Sequence, residues 1–429
     1  MRDSVCEIPN HSRILPRYFW DTLLHISNKL QCGAVVIMNI EEYVMLWYIS
    51  NKKKKLKRRR TLWVHPMVEL REAKGTYNLL HQDLLQDTTK FFNYYRMSPQ
   101  SFEELHNILK SELTKQDTTM RRSIQSRERL SITLRYIATG CSLTDLHYTY
   151  RVGISTASEI IQHTCKLIWT KMKEQCMPKP TRENWLEIAH GFFRNANFPH
   201  CVGTIDGKHI RVIKPQQSGS LYFNYKHFFS IQLLAMCDSN YCFTFVDIGD
   251  YGKNSDSSIF KNSDLYKKLS TKKLNLPDPD FLPEKDDCKI PYVIIGDEAF
   301  GLSFNVMRPY GGKFLPIQKR IYNYRLSRAR RYIECTFGIF ANKWRIFHRP
   351  LNVSIEFAED IVKACTVLHN FVRIRDGYRH EDTLSYEGVY DNEVAATEAY
   401  PARPAIVIRD YFAEYFMTTH ALPWQNNFI

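Results

Sequence analysis

Apolar positions change their period along this chain, and the changes mark changes of element. From about residue 76 they recur at helical spacing: in YNLLHQDLLQ, Leu79, Leu80, Leu84 and Leu85 approach one face. MSPQSFEELHNILKSEL, from Met97, carries its own start signal. Ser98 can cap, Pro99 takes the first helical position, and Phe102, Leu105, Ile108 and Leu109 form one face. The stretch 126–173 predicts three helices. SRERLSITLRYIATG ends at Gly140, SLTDLHYTY starts from Ser142, and STASEIIQHTCKLIWTKM starts from Ser155 as its cap. Arg151, Val152 and Gly153 form the turn before the last helix. Two helices joined by a short glycine-containing turn make the helix-turn-helix pattern, whose last helix enters the major groove with its first residues. Here those are Ser155, Thr156 and Ser158, with Arg151 near the DNA backbone. An ordinary helical hairpin shares the pattern.

After the Pro-rich linker MPKPT at 177–181 and a helix from Glu183 closing on Pro199, the period shortens to that of strands. CVGTIDG, HIRVIK, FFSIQLLAMCD and FTFVDIG read as four strands, with SNYC as a hairpin turn between the last two. GKNSDSSIFKNSDLYKKL predicts a loop and then a helix, with Asp256 near its start. LNLPDPDFLPEKDDCKIP at 274–291 predicts a surface loop, and YVIIGD a further buried strand. Residues 321–347 read as one long helix, the segment from Ser354 as a helical pair, and IRDYFAEYF as a last short helix. The section 376–401 is acidic and polar, which predicts a flexible segment, and residues 1–50 show no clean period. The sum is a mixed α/β fold with helices on both faces of a sheet, preceded by an all-α region.

Charge narrows the partners. The 429 residues carry a formal net charge of +14, which favours a polyanion, and nucleic acid ranks ahead of an acidic membrane because no lipidation motif is present. Lys52, Lys53, Lys54, Lys55, Lys57, Arg58, Arg59 and Arg60 form a run that repels itself and should be extended and solvated. Such a run serves nuclear import, DNA contact, or solubility alone. The eleven cysteines lack the dense spacing of a disulfide scaffold, which suits an intracellular chain. Zinc at Cys237 and Cys242 would need two further ligands, and none stands at a suitable spacing. No secretory signal opens the chain. GAVVIMNIEEYVMLWYI at 33–49 is interrupted by Glu41 and Glu42, so neither side is long enough to span a bilayer.

Three acids stand where phosphodiester chemistry would want them. Asp206 follows the apolar CVGTI and Asp297 follows YVIIG, each at the end of a strand whose interior cannot bury an unpaired charge. Glu334 is the only acid between Glu298 and Glu356, in a strongly basic stretch. Carboxylates at strand ends and on a helix can hold Mg²⁺ or Mn²⁺, and neighbouring arginines tolerate a polyanion. Each has an ordinary alternative. Asp206-Gly207 is a common turn pair, and Glu334 can form a helix ion pair with Arg330 or Arg331. Asp238 and Asp247 are competing strand-end acids. Arg325, Arg328, Arg330, Arg331, Lys343 and Arg345 outnumber the one glutamate, which suggests phosphate contacts.

IDGKHIRV, SGSLYFNYKHFFSIQLLA, VDIGDYGKNSDSSIF, YVIIGDEAFGLSFNVMRPY and YNYRLSRARRYIECTFGIFANKWRIFHRP resemble, in this order, the PIF/Harbinger transposases and their domesticated, nuclease-like relatives in animals. The resemblance also covers RRTLWVHP, FFNYYRMSPQSFEEL and the C-terminal ALPWQ. It implies a DDE-type catalytic domain of RNase H-like fold, with Asp206, Asp297 and Glu334 as the catalytic and metal-holding acids around two divalent ions. It also implies DNA as substrate and a Myb-like accessory protein that aids DNA binding or nuclear import. A domesticated DNA-binding regulator that no longer cuts is the alternative. The expected organisation is an unassigned 1–60 ending in the basic run, a helical DNA-binding region 61–176, a nuclease domain 177–375, and an acidic segment with a last helix at 376–429. The expected location is the nucleus, with exchange to the cytoplasm, and no membrane partner is expected. The oligomeric state is not legible.

Overall fold

The structure, a computed structural model, describes residues 62, 64–119, 122–377 and 403–428. The N-terminal fifty residues, the basic run from Lys52 to Arg60 and nearly all of 376–401 lie outside the described residues. Helices α1 (Pro66–Glu69), α2 (Arg71–Lys74), α3 (Thr76–Gln86), α4 (Thr88–Tyr95), α5 (Pro99–Leu113), α6 (Ser126–Thr139), α7 (Leu143–Tyr150), α8 (Ile154–Cys176) and α9 (Arg182–Ala196) precede the first strand. Their ends follow the local signals. The Ser98 hydroxyl accepts from the Ser101 N–H with Pro99 behind it, Gly140 closes α6 in the left-handed conformation, and Ser142 and Asp145 form a reciprocal capping box on α7. Ser155 does not cap α8. Arg151, at φ 53°, turns the chain early enough that Gly153 becomes the extended N-cap residue and Ile154 the first helical one.

The strands are β1 (Cys201–Arg211), β2 (Ser230–Cys237), β3 (Phe243–Tyr251), β4 (Asp280–Leu282), β5 (Lys285–Ile290), β6 (Val293–Ile295) and β7 (Val306–Met307). Five of them form one sheet in the order β3-β2-β1-β6-β7. The first three make an antiparallel meander, and β6 and β7 run parallel to β1. This is an RNase H-like mixed sheet. CVGTIDG and HIRVIK are not two strands. They join into one, because β2 pairs with β1 continuously from Thr204 to Arg211 and leaves no turn at Asp206-Gly207. The excursion at 274–291 is more than a loop: β4 and β5 form a hairpin, reversed at Glu284 with φ 62°.

Helices α10 (Asp256–Asn262) and α11 (Asp264–Ser270) are separated at Ser263, whose hydroxyl caps the second. The long helix is α12 (Ile317–Lys343), followed by a 3₁₀ turn at Arg345–His348. The segment from Ser354 is a single helix, α13 (Ile355–Asp376), and α14 (Arg403–Met417) is the last. One sheet face, carrying Ile210, Ile231, Leu233 and Ala235, packs in the same apolar cluster as Ile333 and Phe337 of α12, Phe371 of α13 and residues of α3 to α8 such as Leu105, Ile137 and Ile161. That cluster crosses the expected boundary at 177. The other face places Ile205, Leu234 and Met236 against Trp185, Ile259, Phe260 and Leu265. Among the described residues no helix is long and apolar enough to cross a membrane.

Candidate active site

Thr204 of β1 pairs with Ile295 of β6 in the parallel ladder. Asp206 and Asp297 each follow that pair by two residues, Asp206 within β1 and Asp297 just past the end of β6, and the two carboxylates are close enough that the charge of Asp297 acts on Asp206. Ile295 packs with Ile321, Leu326 and Ala329 of α12, and Arg330 of the same helix acts by its charge on both carboxylates. Both carboxylates are half-buried and each accepts a backbone N–H: Asp206 from Gly207 at 2.8 Å, Asp297 from Ala299 at 2.9 Å. Burial raises the Asp206 carboxyl well above the ordinary range, and the charges of Asp297 and Asp256 push it further. Burial likewise raises Asp297, opposed chiefly by the Arg330 guanidinium.

Asp256 is the acid that sequence reasoning passed over. It opens α10 behind the Ser255 cap, where an acid is ordinary helix chemistry and carries no separate signal. In the fold it reaches β1 at Gly207. A Cβ on Gly207 would lie 2.1 Å from Asp256 Oδ1, so the glycine read as a turn residue is instead the gap that admits a carboxylate. Gln232, on β2, donates to the same oxygen at 3.4 Å. Burial and the charge of Asp297 push Asp256 up to about 6, against the pull of Lys226.

Glu334 projects from α12 and is held by Arg330 at 2.7 Å, with 43 % of its side chain exposed. Arg330 therefore faces Glu334 while its charge also favours ionisation of Asp206 and Asp297. Among the described residues no three His, Cys, Asp or Glu side chains surround a common point closely enough to hold an ion. The donors nonetheless suit a hard divalent cation: they are all carboxylate oxygens, each aspartate is driven toward protonation by burial, and Asp206 and Asp256 also by acidic neighbours.

Residues 205–370 match the family described as DDE superfamily endonuclease, a span that contains Asp206, Asp256, Asp297 and Glu334. Over that span the chain is similar to the DDE superfamily endonucleases. Protein ALP1-like of Arabidopsis thaliana is 25 % identical over 295 residues, 67 % of this chain and 71 % of that one. Antagonist of like heterochromatin protein 1, also from Arabidopsis thaliana, is 21 % identical over 71 % of this chain and 78 % of its own. HARBI1 of Homo sapiens, a candidate nuclease by its name, is 26 % identical over 42 % of this chain and 48 % of its own, so the match spans about half of that relative. The resemblance to Harbinger-type transposases and their domesticated relatives is borne out by these matches. No solved structure matches the chain.

The basic residues differ in their surroundings. Arg325 is fully buried and donates to the carbonyls of His420 and Asn197 and to Gln425 Oε1, with its guanidinium 4.4 Å over the Phe416 ring. It fastens the C-terminal segment and has no surface to offer DNA, contrary to expectation. Lys343 is also buried, 5.2 Å from the Phe92 ring, and corrects the same expectation. Arg328 reaches Asn197 and Tyr324. Arg331 and Arg345 are exposed. Arg151 donates to the carbonyls of Lys74 and Met67, which ties α1 and α2 to the turn before α8. Ser155 is exposed and Thr156 half-buried in the first turn of α8.

The competing acids have separate surroundings. Asp238 accepts from the Asn240 and Cys242 N–H groups and so builds the β2–β3 turn. Asp247 is raised by burial and by Asp250 rather than by Asp206 or Asp297. Cys237 is buried against Thr204 Oγ1 at 3.3 Å. A cavity of about 510 Å³, lined by Met177, Asp238, Cys242 and Arg373 among others, borders none of the acids gathered at Asp206.

Proposed function

We propose that this chain is a divalent-metal-dependent DNA nuclease, of transposase descent, that cleaves phosphodiester bonds at Asp206, Asp297 and Glu334. The observation that carries the reading is the charge coupling of Asp206 with Asp297, each two residues past the paired Thr204 and Ile295, and of both with Arg330 on α12, the helix that bears Glu334. Asp206 and Asp297 would hold Mg²⁺ or Mn²⁺, Glu334 would complete the set once released from Arg330, and Asp256 would fix the charge behind Asp206. Bound there, the two ions would supply Lewis-acid stabilisation of an in-line displacement at phosphorus. The protein's own part is to keep the aspartates aligned by the ladder and by the Gly207 and Ala299 N–H groups. Arg331 and Arg345, both exposed, would take flanking phosphates. Import through the basic run, DNA reading by Ser155 and Thr156, and a Myb-like partner belong to the same proposal.

Nicking of supercoiled plasmid with Mg²⁺ or Mn²⁺ tests it, with Asp206→Ala as control. Metal-dependent nicking by the wild type and none by the variant is expected. A second reading, a DNA-binding regulator that does not cut, has one observation in its favour: Glu334 is engaged by Arg330 and the acids do not close on a common point. Salt-sensitive DNA binding without nicking by either protein would establish it.

A further inference from the structure

Between β1 and β2 the chain makes a turn that the acid site leaves unexplained. Asn224 is 3 % exposed and organises it. Its Oδ1 accepts from the Lys226 N–H at 3.0 Å and the Phe228 N–H at 3.2 Å, and its Nδ2 donates to Ser230 Oγ at 2.9 Å. The Asn224 N–H donates to the Phe228 carbonyl, and His227 turns the chain with φ 63°. Five residues are thereby fixed as a rigid tip rather than left as a loose loop.

That rigid tip presents an aromatic ring to solvent. Tyr225 is 49 % exposed although it packs edge-on against His209 with ring centres 5.4 Å apart. From His209 a chain of contacts leads to the acids. Gln232 Nε2 lies 3.3 Å from His209 Nε2 and 3.4 Å from Asp256 Oδ1, and Asp256 lies against Gly207, next to Asp206. One cation lies by this ring and two more lie over neighbouring rings. The Lys226 ammonium is 5.4 Å from its centre, Arg211 lies 4.3 Å over Phe228, and Lys214 is 5.6 Å from Phe229. Phe223, 38 % exposed, extends the aromatic surface. A rigid exposed ring flanked by cations is the composition that holds unpaired nucleotides, since every base has a face to stack and every backbone unit a charge to meet.

We propose that the Asn224–Phe228 tip is a nucleotide platform beside the acids, on which Tyr225 stacks a DNA base that is unpaired at the cleavage point while Lys226 and Arg211 hold its flanking phosphates. This rests on the nuclease reading for its substrate. Tyr225 is a positioning residue here: it places the strand and takes no part in the reacting bonds. The platform gives the site a preference for DNA with an unpaired stretch over intact duplex.

Binding of the full chain is measured in Ca²⁺ to a duplex with a short single-stranded gap carrying 2-aminopurine, and to the same duplex without the gap. The wild type should prefer the gapped DNA and quench the 2-aminopurine. Tyr225→Ala should lower that preference by about tenfold or more and abolish the quenching, and Tyr225→Phe should restore both, because the ring is what stacks. A wild type without preference for the gap, or a Tyr225→Ala protein that keeps preference and quenching, overturns the platform whether or not the protein nicks plasmid. Tyr225-dependent quenching in a protein that never nicks upholds the platform and sinks the nuclease reading instead.

Discussion

Asp206 and Asp297 lie each two residues beyond the paired Thr204 and Ile295, and the charge of Arg330, on the helix that carries Glu334, acts on both. A sheet that places two half-buried carboxylates side by side opposes its own stability, and Arg330 and two backbone N–H groups offset only part of the cost. Asp206→Asn and Asp297→Asn should therefore do two opposite things. Each should lower metal-dependent nicking by on the order of a hundredfold or more, and each should raise unfolding stability in metal-free buffer by about 1 kcal/mol. Plasmid assays and urea melts of the same preparations check both. A loss of stability in either variant would contradict the electrostatic account.

The pH dependence has a definite sign. Asp256 is pushed up to about 6 in the fold, against 3.8 in the open chain, so the native state binds its proton more tightly. Its contribution to stability is full below pH about 4 and is lost as the pH rises through 6. In metal-free buffer the melting temperature of the wild type should thus fall over this window more steeply than that of Asp256→Asn. Divalent-ion affinity should run the other way and strengthen as the acids ionise. Melts with and without Mn²⁺ across pH 4–7 check it, and parallel curves for the two proteins would refute it.

Arg330 is the cation that the acids share in this structure. Arg330→Gln removes a positive charge from Asp206, Asp297 and Glu334 together. The variant should be less stable than wild type without metal, and it should gain more from added Mn²⁺, because the ion then faces no competing guanidinium. The measured quantity is the Mn²⁺-induced shift in melting temperature. A shift smaller than that of the wild type would mean that Arg330 helps to hold the ion rather than competing with it.

Much of the fold was legible because its signals are local. Ser98 with Pro99, Ser142 with Asp145, and Gly140 each complete their cap within a few residues, and all three stand where the sequence puts them. What escaped depends on distant chain. Asp206-Gly207 looks like a turn until β2 is known to pair through it, and 274–291 looks like a loop because its prolines and charges mask the short strands β4 and β5. Arg325 belongs by sequence to a basic cluster. Only the return of the C-terminal segment turns it into a buried clasp. Asp256 is the sharpest case, an ordinary helix-start acid whose place beside Asp206 is decided by the missing side chain of Gly207.

Arg325→Ala should separate fold from DNA contact. The guanidinium is buried among the His420 and Asn197 carbonyls and Gln425 Oε1, so its removal leaves those acceptors unpaired. The expected cost is about 3 kcal/mol of stability, with early proteolytic cleavage near α14, while the salt dependence of DNA binding by the folded fraction stays that of the wild type. Arg331→Ala and Arg345→Ala, at exposed positions, should show the converse. Each should leave stability within about 0.5 kcal/mol of wild type and lower the slope of log affinity against log salt by about 1. Affinity titrations over a range of salt decide between the two behaviours, and a reduced slope in Arg325→Ala would return that residue to the DNA surface.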